Sequence, residues 1–148
     1  GDCTNYASQC LYAGSGIMNY TPTYGWFYLS ADDRTASWTG VQYFYNFLTQ
    51  NHGVGPFGAE AAIDAVEPGD FVQLSFEPGR FGHTPIVVEI RGGRPTPSTI
   101  YLAAHSRDSD CRPLSSYSYL ESRFLHVQGV RANPSPGLIG FRGASGTR

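Results

Sequence analysis

The apolar side chains of the first fifteen residues predict an amphipathic helix. They repeat with the spacing of one helix face, at Cys3, Tyr6, Ala7, Cys10 and Leu11. Asp2 is a candidate N-cap, and Gly14 is a candidate C-terminal stop. Cys3 is therefore expected on the first turn of this helix, at the edge of the buried stripe.

A second helical pattern follows a long irregular connection over residues 15–35. Its apolar stripe recurs at helical spacing, at Val41, Phe44, Tyr45 and Leu48. Ser37 is a candidate N-cap and Gly53 a candidate stop. Beyond it, GVGPFG is typical of a turn cluster, and a short weak helix is predicted at Ala59–Val66.

From residue 67 the pattern changes to that of β-strands. EPGD predicts a turn, and FVQLSF at residues 71–76 predicts a strand. After a second turn, His83 stands at the head of a strand, TPIVVEI, and TIYLAAH predicts a third strand that ends on His105. RFLHVQGV predicts a fourth strand, in which His126 is expected to be a surface or structural residue. Helices followed by a run of strands predict an α+β fold with an antiparallel sheet.

Length and composition favour a globular domain. The chain has 148 residues, of which 41% are hydrophobic, so one domain with a core is expected over residues 1–131. Residues 132–148, rich in Pro, Gly and Ser, are expected to form a flexible tail. The net charge of −2 without a basic run argues against nucleic-acid binding, and no apolar run reaches membrane-spanning length. The three cysteines lack zinc-ligand spacing, so we predict neither a metal nor another cofactor.

Three residues form a candidate catalytic group. In an antiparallel hairpin, the start of one strand lies beside the end of the next, which brings His83 and His105 to the same end of the sheet. If the first helix packs on that sheet, Cys3 completes a Cys–His–His line. A helix N-terminus and an imidazole both favour a thiolate, and the free N–H groups of the first turn can bind an oxyanion. The alternatives are a small buried side chain for Cys3 and strand-edge or turn roles for the histidines.

The motifs also resemble a known family. GDCTNYASQCLYAG, SWTGVQYFYNFLTQN, PGDFVQLSF, GHTPIVVEI and AAHSRDSDCRPLSSY follow one another in the order found in the putative amidase domain family, which is related to the NlpC/P60 and CHAP peptidases. The resemblance runs from Gly1 to about Val127 and is most specific in DCTN-x-x-SQ. It implies a papain-like fold in which a helix that bears the nucleophile packs against a small antiparallel sheet.

The same resemblance implies site roles. Cys3 would be the nucleophile, His83 the general base and His105 the orienting group, with Asp108 as the alternative for this third position. Family members often carry a further helix before the DC motif, so a fragment with an incomplete cleft is one interpretation of the chain. Cys10 is expected in the core, and a Cys10–Cys111 disulfide is an alternative that would leave Cys3 as the free thiol.

We therefore predict a cysteine-dependent amide or peptide hydrolase that works through a thioester. The resemblance implies peptides of the bacterial cell wall as substrate, and with them an extracellular or cell-envelope location. Two alternatives stay open: a non-catalytic module that binds peptide or cell wall, and an acyltransferase on the same fold. The oligomeric state is left open.

Overall fold

A computed structural model describes residues 2–105 and 111–132 and shows an α+β fold with a large antiparallel sheet. The helices in the described ranges are α1 (Asp2–Ser15), α2 (Ala36–Thr39) and α3 (Val41–Gln50). Two short 3₁₀ helices span Ile63–Ala65 and Leu114–Ser116. The strands are β1 (Tyr28–Ser30), β2 (Asp33–Arg34), β3 (Gly55–Ala61), β4 (Phe71–Glu77), β5 (Arg80–His83), β6 (Ile86–Ile90), β7 (Ile100–Ala103), β8 (Arg112–Pro113) and β9 (Glu121–Arg131).

The first helix forms as predicted, but its buried face is rotated from the expected stripe. Thr4 and Ser8 are fully buried beside Ala7 and Leu11, whereas Cys3 and Cys10 are only half-buried at the edges of that face. Buried hydroxyls are tolerated when they find partners, and the Ser8 hydroxyl donates to the Trp38 carbonyl at 2.9 Å.

The ends of α1 also differ from the prediction. The helix already includes Asp2, whose side chain lies outside the described part of the chain. It continues through Gly14 and ends where Gly16 adopts a left-handed φ of +69° and donates its N–H to the Tyr12 carbonyl at 2.7 Å. Gly16, not Gly14, is therefore the C-terminal stop.

The second predicted helix is broken into α2 and α3 at Gly40, which has an extended backbone. A Cβ at Gly40 would lie 2.8 Å from the Tyr43 ring and 3.0 Å from the Ala36 carbonyl, so a larger residue at this corner would require both neighbours to shift. Ser37 is not the N-cap, because it lies inside α2 and donates to the Gly25 carbonyl at 2.6 Å. Nor is Gly53 the stop, since α3 ends at Gln50.

The predictions for residues 53–66 were wrong. Strand β3, Gly55–Ala61, takes up most of the supposed turn cluster and the start of the supposed weak helix, of which only a 3₁₀ turn remains at Ile63–Ala65. Long-range pairing explains the difference, because β3 pairs with β9 along its whole length, from Gly55↔Arg131 to Ala61↔Phe124. Tertiary contacts of this kind override weak local propensity.

The main sheet is larger than the small sheet expected. Its order is β3-β9-β4-β6-β7-β8, and β5 pairs with the same edge of β4 as β6 does. His83 therefore ends β5 instead of beginning the next strand, and Thr84 and Pro85 separate β5 from β6. Proline cannot donate to a ladder, although the Pro85 carbonyl still accepts the Val72 N–H at 3.0 Å.

Two hydrophobic clusters pack against the two faces of the sheet, one on each face. The first lies between the helices and the sheet and includes Trp26, Trp38, Phe44, Leu48, Phe71 and Leu125. The second lies on the opposite face and includes Val66, Val72, Leu74, Val87, Ile100, Leu102 and Leu114. Within the described ranges, no helix is long and apolar enough to cross a membrane.

Candidate active site

The fold brings Cys3 and His83 together from distant positions in the chain. Cys3 Sγ lies 3.9 Å from His83 Nδ1, although 80 positions separate the two residues in the sequence. Cys3 is half-buried on the first turn of α1, and His83 is exposed at the end of β5. The ring of Phe76 packs edge-on against the imidazole, with the ring centroids 4.9 Å apart, and restricts its rotation. The arrangement can pass a proton from sulfur to nitrogen after a small approach of the two side chains.

A backbone N–H also points at the sulfur. Thr84 donates its N–H to Cys3 Sγ at 3.1 Å. A hydrogen bond to a sulfur that carries negative charge favours the thiolate, which is the nucleophilic form. The sequence reasoning missed this donor. The available signal was the His-Thr-Pro order, because a proline that interrupts the ladder frees nearby backbone groups for other partners.

The environment of His83 favours a neutral imidazole. Although His83 is exposed as a residue, partial desolvation of its ring lowers the pKa of His83 below its ordinary value of 6.5, and electrostatic repulsion from His105 acts in the same direction. A neutral ring keeps one nitrogen available to accept a proton near neutral pH.

The third predicted residue lies at the expected end of the sheet. Ile86 at the start of β6 pairs with Ala103 at the end of β7, and His105 follows two residues later, exposed. The described structure shows no hydrogen bond between His105 and His83, and the two are linked by their place at one end of the sheet and by a weak electrostatic effect that lowers the pKa of His83. Asp108, the alternative for the third position, lies outside the described residues.

A layer of buried polar groups lies directly beneath the pair. The hydroxyls of Thr4 and Thr84, each the next residue after Cys3 and His83, are 3.1 Å apart. Gln73 on β4 is fully buried, and its Nε2 donates to the Thr84 hydroxyl at 3.1 Å. Sequence reasoning assigned Gln73 only to a strand, since strand periodicity gives no information about which polar side chains meet.

Arg123 on β9 continues this layer away from the sulfur. It donates from Nε and Nη2 to Gln73 Oε1 at 2.9 and 2.7 Å, and its guanidinium stacks on the Tyr45 and Phe81 rings. Burial lowers the pKa of Arg123. The Tyr45 hydroxyl donates to Glu60 at 2.6 Å, and that hydrogen bond raises the pKa of Tyr45.

The remaining cysteines are free, which overturns the alternative of a Cys10–Cys111 disulfide. Cys10 is half-buried and not part of the core, because it lines a pocket of about 330 Å³ between α1 and the sheet. His126 and Asp70 line the same pocket. In the part of the chain that the structure describes, no group of three or more His, Cys, Asp or Glu side chains is arranged to hold a metal ion.

His126 and Asp70 form a separate, structural pair. Asp70 is only 3% exposed and accepts hydrogen bonds from the backbone N–H groups of Val127 at 3.0 Å and Glu67 at 2.9 Å. Its Oδ2 lies 2.9 Å from His126 Nδ1, and this hydrogen bond raises the pKa of His126. The carboxylate therefore joins the 67–70 turn to β9.

Comparison with known proteins places this architecture in a family. No solved structure matches the chain significantly. The uncharacterized protein YhbB of Bacillus subtilis is 35% identical over 91 residues, a stretch that covers 59% of this chain and 29% of YhbB. The chain therefore spans less than a third of that relative. The sequence pattern of the family described as "putative amidase domain" matches residues 1–128, and the chain belongs to that family.

Proposed function

We propose that this domain is a cysteine-dependent amide hydrolase, with Cys3 as nucleophile and His83 as general base. Membership of the amidase-domain family supports amide hydrolysis. The observation that carries the cysteine mechanism is the 3.9 Å approach of Cys3 Sγ to His83 Nδ1, with the Thr84 N–H on the same sulfur. A buried structural cysteine needs neither contact.

The reaction begins with transfer of the Cys3 thiol proton to His83 Nδ1. The sulfur then forms a bond to the carbonyl carbon of the amide, and the carbonyl oxygen takes the negative charge. The first N–H groups of α1 have no partner within the helix, and we propose them as the donors for that oxyanion. When the tetrahedral species collapses, the C–N bond breaks and the leaving amine takes the proton from His83.

Water completes the cycle. His83 removes a proton from a water molecule, whose oxygen attacks the thioester carbonyl. The C–S bond breaks, the carboxylic acid leaves, and the proton on His83 returns to the sulfur. His105 is proposed as the group that orients the His83 ring, because it follows the end of β7, which pairs with the start of β6 at the same end of the sheet.

For the substrate we propose amide bonds in the peptides of bacterial cell walls, reached at the cell envelope or outside the cell. The support is the resemblance of the DCTN-x-x-SQ, PGD and GH motifs to those of cell-wall peptidases related to NlpC/P60. The same resemblance supports a papain-like arrangement of α1 against the sheet.

The test is a digestion of purified peptidoglycan by the wild type and by Cys3→Ala, followed by mass spectrometry of the new termini. New amine and carboxylate termini with the wild type alone are the expected result. Binding without new termini would favour the non-catalytic module instead. Products joined to an added amine would favour the acyltransferase.

A further inference from the structure

We infer that Gln73, locked by Arg123, is a positioning residue that holds the Thr84 N–H against the sulfur of Cys3. The inference rests on the proposed function, because it assigns the machinery that keeps the proposed nucleophile and base in place. It concerns Gln73 on β4 and Arg123 on β9, two strands other than the elements that carry Cys3 and His83.

Gln73 is a side-chain amide that uses its full hydrogen-bonding capacity inside the protein. Its Nε2 donates to the Val41 carbonyl at 3.0 Å and to the Thr84 hydroxyl at 3.1 Å. Its Oε1 accepts both hydrogen bonds of the Arg123 fork. A fully buried polar group of this kind specifies one geometry, since any other leaves donors or acceptors unsatisfied.

Arg123 decides which way the amide points. A guanidinium has only donors, so the group that faces it must be the oxygen of Gln73. The NH₂ group is therefore turned toward Thr84 and Val41. Arg123 is itself held between two aromatic rings, with its guanidinium carbon 3.8 Å from the Tyr45 ring centre and 4.1 Å from that of Phe81.

Two threonines transmit this orientation to the site. Thr84 is anchored through its hydroxyl, which bonds to Gln73 and to the Thr4 hydroxyl, and both threonines are buried. Thr4 follows Cys3 on α1, and Thr84 follows His83 at the end of β5. The hydroxyl pair thus joins the two elements one residue beyond the proposed nucleophile and base. Anchoring Thr84 fixes its N–H at 3.1 Å from the sulfur.

The experiment measures iodoacetamide alkylation of Cys3, resolved from Cys10 and Cys111 by peptide mass spectrometry, across a range of pH. Gln73→Glu keeps the shape and the oxygen for Arg123 but loses both donated hydrogen bonds. Thr84→Val keeps the backbone N–H and removes its anchor. Each variant should alkylate about tenfold more slowly at neutral pH, with the pH profile displaced to higher pH. Thr84→Ser, which restores the hydroxyl, should recover most of the rate.

Asn51→Asp provides the matched control. Asn51 Nδ2 also donates to two backbone carbonyls, those of Val54 at 3.0 Å and Pro56 at 2.9 Å, but it lies at the end of α3. Asn51→Asp should lower the melting temperature as Gln73→Glu does and leave the Cys3 alkylation profile unchanged.

Alkylation needs no substrate, so the two proposals fail in different ways. If the wild type cleaves nothing yet Gln73→Glu and Thr84→Val slow alkylation, the positioning role stands and the hydrolase function falls. If the wild type cleaves peptidoglycan but these variants alkylate like the wild type, the positioning role is wrong. An equal slowing in Asn51→Asp would also overturn it, because the effect would then be one of general stability.

Discussion

Two histidines on one sheet differ in the partner that each ring nitrogen meets. His83 Nδ1 faces the sulfur of Cys3, and partial burial lowers the pKa of His83. His126 Nδ1 faces the carboxylate of Asp70, and that hydrogen bond raises the pKa of His126. The first environment favours a base that is free to accept a proton, whereas the second favours a fixed cation.

The contrast also separates two cysteines. Cys10 lines the pocket that contains His126, but Cys3 is the cysteine with a ring nitrogen at 3.9 Å and a backbone N–H at 3.1 Å. A cysteine in the general neighbourhood of a histidine is therefore not by itself a site. What distinguishes the Cys3 region is a set of donors and acceptors aimed at the sulfur.

The largest expected effect is on the rate of cleavage and comes from changes at Cys3 and His83. Cys3→Ala and His83→Ala should each lower the rate of peptidoglycan cleavage by about a thousandfold or more, because one removes the nucleophile and the other its base. His126→Gln should retain most of the rate. Initial rates of release of new amine termini measure all three. Loss of activity in His126→Gln with retention in His83→Ala would reverse the assignment.

The next effect is on the free energy of unfolding and comes from changes at the Asp70–His126 pair. Asp70→Ala leaves the N–H groups of Val127 and Glu67 without an acceptor and His126 without its counter-ion, so it should lower the free energy of unfolding by about 3 to 5 kcal/mol. Urea denaturation measures the loss. Glu67→Gln is the control: its carboxylate is exposed and 4.0 Å from His126, so its loss should cost under about 1 kcal/mol. Equal costs for the two variants would contradict the structural role of Asp70.

A smaller effect follows from the raised pKa of His126. The protonated ring stabilises the folded state, so its contribution is fully present below the unfolded value of about 6.5 and disappears as the pH rises through the raised folded-state value. The difference in unfolding free energy between the wild type and His126→Gln should therefore shrink as the pH rises from below 6.5 through the raised folded-state pKa of His126. Comparing the two proteins cancels the contribution of His83. A difference that grows with pH would show that the sign is wrong.

The smallest effect sharpens the role of His105. Because the pKa of His83 is lowered, the acid limb of the pH profile of kcat/KM should have its midpoint below pH 6.5. His105→Asn removes a nearby positive charge and should move that limb upward by a fraction of a pH unit, while burial keeps it below 6.5. Turnover should fall in His105→Asn and fall further in His105→Ala, since the amide can still accept an N–H from His83. If neither turnover nor the limb changes, Asp108 becomes the candidate for the third position.

Local pattern predicted the elements whose signal lies within a few residues. Helical spacing predicted α1, and a run of β-branched and aromatic residues between turns predicted β4. The same reasoning was wrong at β3, where glycines and alanines carry no strand signal and pairing with β9 decides the structure. It was also wrong at Gly40, where an extended backbone separates α2 from α3 and the helical spacing on either side gives no sign of the break.

The sequence by itself determined the α+β class, the family and the placement of Cys3 on the first turn of a helix, since each depends on residues close together in the chain or on a motif read in order. Only the tertiary structure decided what surrounds the sulfur. Thr84 contacts the sulfur, Gln73 contacts Thr84 and Arg123 contacts Gln73, through pairing of β4 with β9 and packing of α1 on the sheet, and no local periodicity encodes such contacts. The physical reason is that buried hydrogen bonds between distant residues depend on how strands align, and strand alignment is set by the whole core.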